Sequence, residues 1–159
     1  RAAELRDEIL FKQPERSHLG ECPICCLRLP LGQEKSTMMP CCSKFICNGC
    51  EYANSIYELE GCLQRKCPFC RHPVPDSEEE TKRNMMKRVE ANDPVAMRQM
   101  GGMRRREGDY DGAFEYWSEA AGLGDVGAHY QLSVVYREGL GAEKDKKKEL
   151  HHLEEAAIG

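Results

Sequence analysis

From Asp93 onward, apolar residues recur at helical spacing, and the pattern repeats. Ala96, Met100 and Met103 sit at i, i+4 and i+7, which is one face of a helix. The same face returns 32 residues later as Ala128, Leu132 and Val135. Asp93 and Asp125 precede the two faces and suit N-caps. Pro94 follows the first, where a helix tolerates it. Asp109, Phe114, Trp117, Ala120 and Ala121 then map by 36 residues onto Asp145, Leu150, Leu153, Ala156 and Ala157, with four extra residues near Gly139-Leu140-Gly141. Upstream, Ser77-x-x-Glu80 after Pro73 and Pro75 has the form of a capping box. Met85 and Val89 lie 32 residues before Trp117 and Ala121, so residues 78–91 read as a degenerate preceding helix. Ala2 to Phe11 suits a short helix with Leu5 and Ile9 on one side, ended before Pro14.

The stretch before Pro73 has no comparable periodicity. Between Cys22 and Cys70 the apolar side chains are few: Ile24, Leu27, Leu29, Leu31, Phe45, Ile46, Ile56, Leu59 and Leu63. About 50 residues with so small a core are marginal unaided. The chain has 10 Cys in 159 residues, all between Cys22 and Cys70. Two regions therefore solve the stability problem differently. No apolar run reaches the roughly 18 residues a membrane span needs, and the first 20 residues carry no signal-peptide pattern. Dense Cys without a secretion signal reads as metal ligation in a reducing compartment, cytoplasm or nucleus. Net charge is −4. No segment is strongly basic, so nucleic acid is not an expected partner. Arg104-Arg105-Arg106 and Lys146-Lys147-Lys148 have acids beside them and read as solvated faces.

Three pairs share one spacing, Cys22/Cys25, Cys47/Cys50 and Cys67/Cys70, and Cys41 and Cys42 form an adjacent fourth pair. Two thiolates separated by two residues can approach one tetrahedral Zn²⁺ from a tight turn. Eight thiolates complete two four-coordinate sites with no open position, so the expected cofactor is two structural Zn²⁺ ions. Metal binding would supply on the order of 10 kcal/mol of folding free energy per site. Cys26 and Cys62 break the pattern and read as spare thiols, buried rather than ligating. His18, His151 and His152 read as non-ligands.

The order Cys-x-x-Cys, 15 residues, Cys-Cys, four residues, Cys-x-x-Cys, 16 residues, Cys-Pro-Phe-Cys-Arg resembles an eight-cysteine RING-type zinc finger. That resemblance implies a cross-brace. Cys22, Cys25, Cys47 and Cys50 would share one ion, and Cys41, Cys42, Cys67 and Cys70 the other. It implies a ubiquitin ligase that acts by positioning a ubiquitin-conjugating enzyme, without a covalent intermediate. Ile24, Pro68 and a helix over Glu51 to Glu60 would form the partner groove, with Ala53, Ile56 and Leu63 on one face. Arg71 would be the ubiquitin-positioning residue, or a surface arginine balancing the thiolates. The sequence departs from the family at two points. Cys41 and Cys42 are adjacent, which leaves Cys62 or His72 as alternative ligands. The helix lacks the family's groove Trp, for which Tyr52 or Tyr57 would have to substitute. Sequential zinc ribbons and a histone-reader finger remain alternative arrangements of the same cysteines.

In the second region Gly124-Asp125, Ala128, Tyr136, Gly139-x-Gly141, Asp145 and the paired alanines resemble the Sel-one-like repeat, a relative of tetratricopeptide repeats. The competing description is a plain helical bundle. Such repeats stack, and about three are usually needed. One repeat, most of a second and a half before them predict a fragment that frays after about Lys144. The expected fold is a small zinc-stabilised α+β cross-brace finger followed by an all-α helix-turn-helix repeat array. The divisions are residues 1–19, an N-terminal helical extension; 20–75, the finger; 76–92, a linker or degenerate helix; and 93–159, the repeats. The expected function is a ubiquitin ligase whose repeats hold a protein substrate or scaffold. The alternative is an interaction adaptor with a structural finger.

Overall fold

A computed structural model describes residues 20–30 and 35–158. The helix expected over Ala2 to Phe11, His18 and the core candidate Leu31 lie outside the described residues. Among the described residues, two strands and six helices follow one another: β1 (Ser36–Met38), β2 (Phe45–Cys47), α1 (Asn48–Glu60), α2 (Glu78–Glu90), α3 (Pro94–Glu107), α4 (Tyr110–Gly122), α5 (Val126–Glu138) and α6 (Lys146–Ile158). The described residues divide into two compact units, one up to Arg88 and one from Val89 onward.

In the first unit β1 and β2 pair antiparallel, with Thr37 opposite Ile46. Its buried core is Cys22, Leu29, Met39, Ile46 and Cys67, with Cys41, Cys42, Phe45, Cys47, Cys50 and Phe69 packed around it. Among the described residues, Leu29 and Ile46 are the buried ones of the apolar candidates named from the sequence, and Met39 joins them. Leu27 and Leu59 are 69% and 73% exposed. Sulfur therefore occupies the centre that aliphatic side chains fill in a larger domain. α1 ends at Glu60, so Leu63 falls beyond the helix and does not share a face with Ala53 and Ile56. The reason is the turn Gly61-Cys62, where Cys62 takes a positive φ of 50° and the Leu63 N–H closes on the Glu58 carbonyl at 2.8 Å. The Glu58 side chain is buried and accepts from the Lys66 N–H at 2.9 Å, which ties the helix to the segment leading into Cys67.

α2 begins as the Ser77-x-x-Glu80 pattern predicts. Ser77 Oγ accepts from the Glu80 N–H at 3.2 Å. Glu80 reaches back to the Asp76 N–H at 3.4 Å rather than to that of Ser77, so the box closes one residue early.

In the second unit four aspartates cap four helices. Asp93 accepts from Val95 and Ala96, Asp109 from Gly112, Asp125 from Ala128, and Asp145 from Lys147 and Lys148. Each satisfies N–H groups that the first turn leaves without partners. Gly108 and Gly139 end α3 and α5 in the left-handed conformation, φ 84° and 76°. α3 packs on α4, α4 on α5, and α5 on α6. The buried centre is Met97, Ala113, Trp117, Ala120, Ala121, Ala128, Leu132 and Val135, with Val89, Phe114, Tyr116 and Ala142 against it. Trp117 Nε1 donates to the Arg98 carbonyl at 3.1 Å. The 36-residue correspondence holds for the caps and breaks for burial. Trp117 is buried, whereas its counterpart Leu153 is 37% exposed and Leu150 is 48% exposed.

Candidate metal centres

The first cysteine pair sits in a short turn pinned at its base. The Cys22 N–H donates to the Leu27 carbonyl and the Cys26 N–H to the Cys22 carbonyl, both at 2.8 Å. Glu21 and Arg28 bridge across it. The last pair is built the same way. The Cys67 N–H donates to His72 at 2.8 Å, the Arg71 N–H to Cys67 at 3.0 Å, and Lys66 bridges to Pro73. In both turns the residue after the second cysteine takes a positive φ, 57° at Cys26 and 61° at Arg71. Cys26 and Arg71 are thus structural equivalents. Cys26 and Cys62 are exposed, correcting the expectation that they are buried. The left-handed position after each turn points away from the small core.

Cys41 and Cys42 lie in the link between β1 and β2. The Met39 carbonyl accepts from both Cys42 (3.2 Å) and Ser43 (2.8 Å), and the Met39 N–H donates to Lys44. Ser43 takes φ 57°. This double turn supplies the kink that adjacent ligands require. Cys47 ends β2 and Cys50 lies in the first turn of α1.

These elements gather eight thiols into two groups. Cys22, Cys25, Cys47 and Cys50 form one, Cys41, Cys42, Cys67 and Cys70 the other, and within each group all sulfurs lie within 4.8 Å of one another. Either group could hold a metal ion. Four sulfurs around a tetrahedral ion at 2.3 Å stand about 3.8 Å apart. Cys25 and Cys47 are separated by 3.8 Å, Cys42 and Cys67 by 3.7 Å, and Cys41 and Cys70 by 3.3 Å. None of the cysteines is in a disulfide. The donor set fits a soft, four-coordinate ion. Cys62 and His72 fall outside both groups.

Crowded thiols cannot all ionise without a cation. Burial pushes Cys41, Cys42 and Cys50 up, with neighbouring thiols adding to it; Cys42 stands at about 11 and Cys50 at about 12. Burial also acts against ionisation of Cys22, but N–H groups of Cys25, Cys47 and Ile24 outweigh it and bring that thiol down to about 6. At Cys70 burial is likewise outweighed, by the His72 N–H and by the other thiols of its group, and the thiol is lowered. Each group thus holds one thiol shifted below its ordinary value beside others shifted above it. A bound cation removes that conflict.

The remaining site candidates are more dispersed. Ile24 is 45% exposed at the tip of the first turn, and Arg71 is exposed after the last. Pro68 is half-buried and lines a cavity of about 210 Å³ with Met39, Asn54, Glu58 and Val74; Ile24 does not. Tyr52 and Tyr57 of α1 are each 70% exposed. No helix among the described residues is long and apolar enough to cross a membrane. No protein-family model matches this chain, and no curated protein matches it.

Proposed function

We propose that this chain is a zinc protein whose finger is of RING type and acts as a ubiquitin ligase, holding a ubiquitin-conjugating enzyme while the helical unit holds a protein substrate or scaffold. The observation that carries the reading is the alternation of the cysteine pairs. The first and third pairs meet, and the second and fourth pairs meet, and this supports the cross-brace that the RING resemblance implies. Sequential zinc ribbons would join the first pair with the second. Four thiolates without an open position favour structural Zn²⁺ over a hydrolytic centre.

In this reading Ile24, exposed between the first two ligands, and Pro68, between the last two, offer the apolar contacts to the conjugating enzyme. Arg71 follows the last ligand with its side chain exposed and restrains the ubiquitin. Catalysis is by orientation alone. The repeated caps at Asp93, Asp109, Asp125 and Asp145 support Sel-one-like helix pairs as the substrate-holding part.

The second reading is an adaptor with a purely structural finger. It is favoured by the lack of a Trp on α1, where Tyr52 and Tyr57 are the aromatic residues on offer. An autoubiquitination assay over a panel of conjugating enzymes separates the two. The ligase reading expects activity in the wild type and a loss of about tenfold or more in Ile24→Ala and Arg71→Ala. Inactivity with every conjugating enzyme leaves the adaptor.

A further inference from the structure

A second cavity, of about 280 Å³, opens beside the Cys41/Cys42/Cys67/Cys70 group. Its lining is Cys41, Cys70, His72, Asn84, Lys87 and Arg88. The last three belong to α2, well outside the cysteine spacing. Asn84 is only 6% exposed. Its amide Nδ2 is fully buried and has no hydrogen-bond partner among the described residues. A buried amide donor without a partner costs about 1–3 kcal/mol, and such groups are rare enough to need an explanation.

The chemistry of the neighbouring sulfurs supplies one. Thiols are poor acceptors. Thiolates on a metal ion are good ones, and four of them around a divalent ion leave a net charge of about −2. The lining of the cavity is built for that charge: one amide donor, one lysine, one arginine and one histidine, with no carboxylate. A space of this size accommodates water, which can relay a hydrogen bond where side chains do not touch.

We propose that Asn84 is a positioning residue of the second metal centre, donating through the cavity to the Cys41 and Cys70 thiolates, with Lys87 and Arg88 offsetting the charge of the loaded site. This rests on the metal reading above and extends it. α2 then belongs to the metal centre as well as to the chain that follows it. Loading the second site and docking α2 become one coupled equilibrium, because each supplies what the other lacks. Supporting groups around metal ligands typically change affinity by about 10–100-fold when removed.

The test uses the full chain loaded with two ions and titrated with a chelator, together with its Co²⁺-substituted form. Asn84→Leu, which keeps the branched shape of the side chain and removes the donor, should release one ion at about tenfold lower chelator. Asn84→Asp, which puts a carboxylate against the thiolates, should lower it further. The other ion should leave at the wild-type concentration, an internal control for folding. The thiolate-to-cobalt charge-transfer band of the affected site should shift to longer wavelength in Asn84→Leu, since an unbonded thiolate is easier to oxidise. Lys87 is on the surface, so Lys87→Glu perturbs the charge without repacking. It should weaken the same site several-fold at low salt and less at high salt. Wild-type release and an unshifted band in both Asn84 variants, or wild-type release in Lys87→Glu, would overturn the proposal. A wild-type protein that takes up fewer than two ions overturns the metal reading itself, before any variant is compared.

Discussion

One carbonyl oxygen, that of Met39, accepts both the Cys42 and the Ser43 N–H groups, and this is what lets two consecutive cysteines face one point. With Ser43 at φ 57° the backbone reverses within three residues. The second group of sulfurs therefore includes Cys42 and not His72 or Cys62. Cys42→Ser is expected to leave a protein with one bound ion, whereas Cys26→Ser and Cys62→Ser keep two; metal analysis by mass spectrometry after desalting measures this directly. The tight spot in the helical unit is also set by one residue. A Cβ at Gly101 would stand 2.5 Å from Trp117 Nε1. Gly101→Ala must push the indole away and break its hydrogen bond to Arg98. The expected cost is about 1–3 kcal/mol, read as a lower midpoint in denaturant with the slope unchanged. The cysteine spacing is visible in the sequence. The glycine's role is not, because its partner lies 16 residues away on another helix.

Elements show the same division. Every one of α2 to α5 stands where capping and periodicity predict it, because a helix start is a local affair of one side chain and two or three N–H groups. α6 has an aspartate cap like α3 to α5, yet its Leu150 and Leu153 are exposed where Trp117 is buried and Phe114 half-buried. Periodicity states which face is apolar and not what lies against it. The contact between α5 and α6 has a titrating component. His152 stacks on Tyr136 at 5.6 Å, its Nδ1 lies 3.0 Å from that of His129, and Lys148 sits over the same tyrosine ring. Burial lowers the His152 pKa, and the charges of His129, His151 and Lys148 lower it further against a smaller opposing pull from Glu155. An unfolded histidine takes up its proton near ~6.5. The folded one does so at lower pH, so across that interval the unfolded state binds more protons and acid favours it. The helical unit should hold its full stability above pH ~6.5 and lose some below it. His152→Gln should flatten that dependence, as followed by thermal unfolding from pH 5 to 8.

At the scale of the whole molecule, two strategies of stabilisation share one chain. The helical unit buries a connected set of alanines, Trp117, Leu132 and Val135. Among the described residues, the hydrophobic core of the first unit is a cluster of five buried side chains, two of them cysteines. Chelation is therefore expected to act on one unit and spare the other. Hydrogen exchange after metal removal should show peptides from residues 20–75 exchanging freely and peptides from α3, α4 and α5 unchanged. Uniform protection throughout would remove the case for metal as the organising element of the first unit. The sequence by itself determined that eight thiols come in four pairs, that helices begin at Ser77, Asp93 and Asp125, and that the two regions differ in what holds them. These are properties of spacing and of short-range hydrogen bonding, which neighbours in the chain decide. Only the tertiary structure decided which pairs meet, that Cys26 and Cys62 face outward, and that Asn84 and Lys87 stand beside Cys41 and Cys70. Those depend on how turns, strands and helices close on one another, and contacts between residues far apart in sequence leave no local pattern to read.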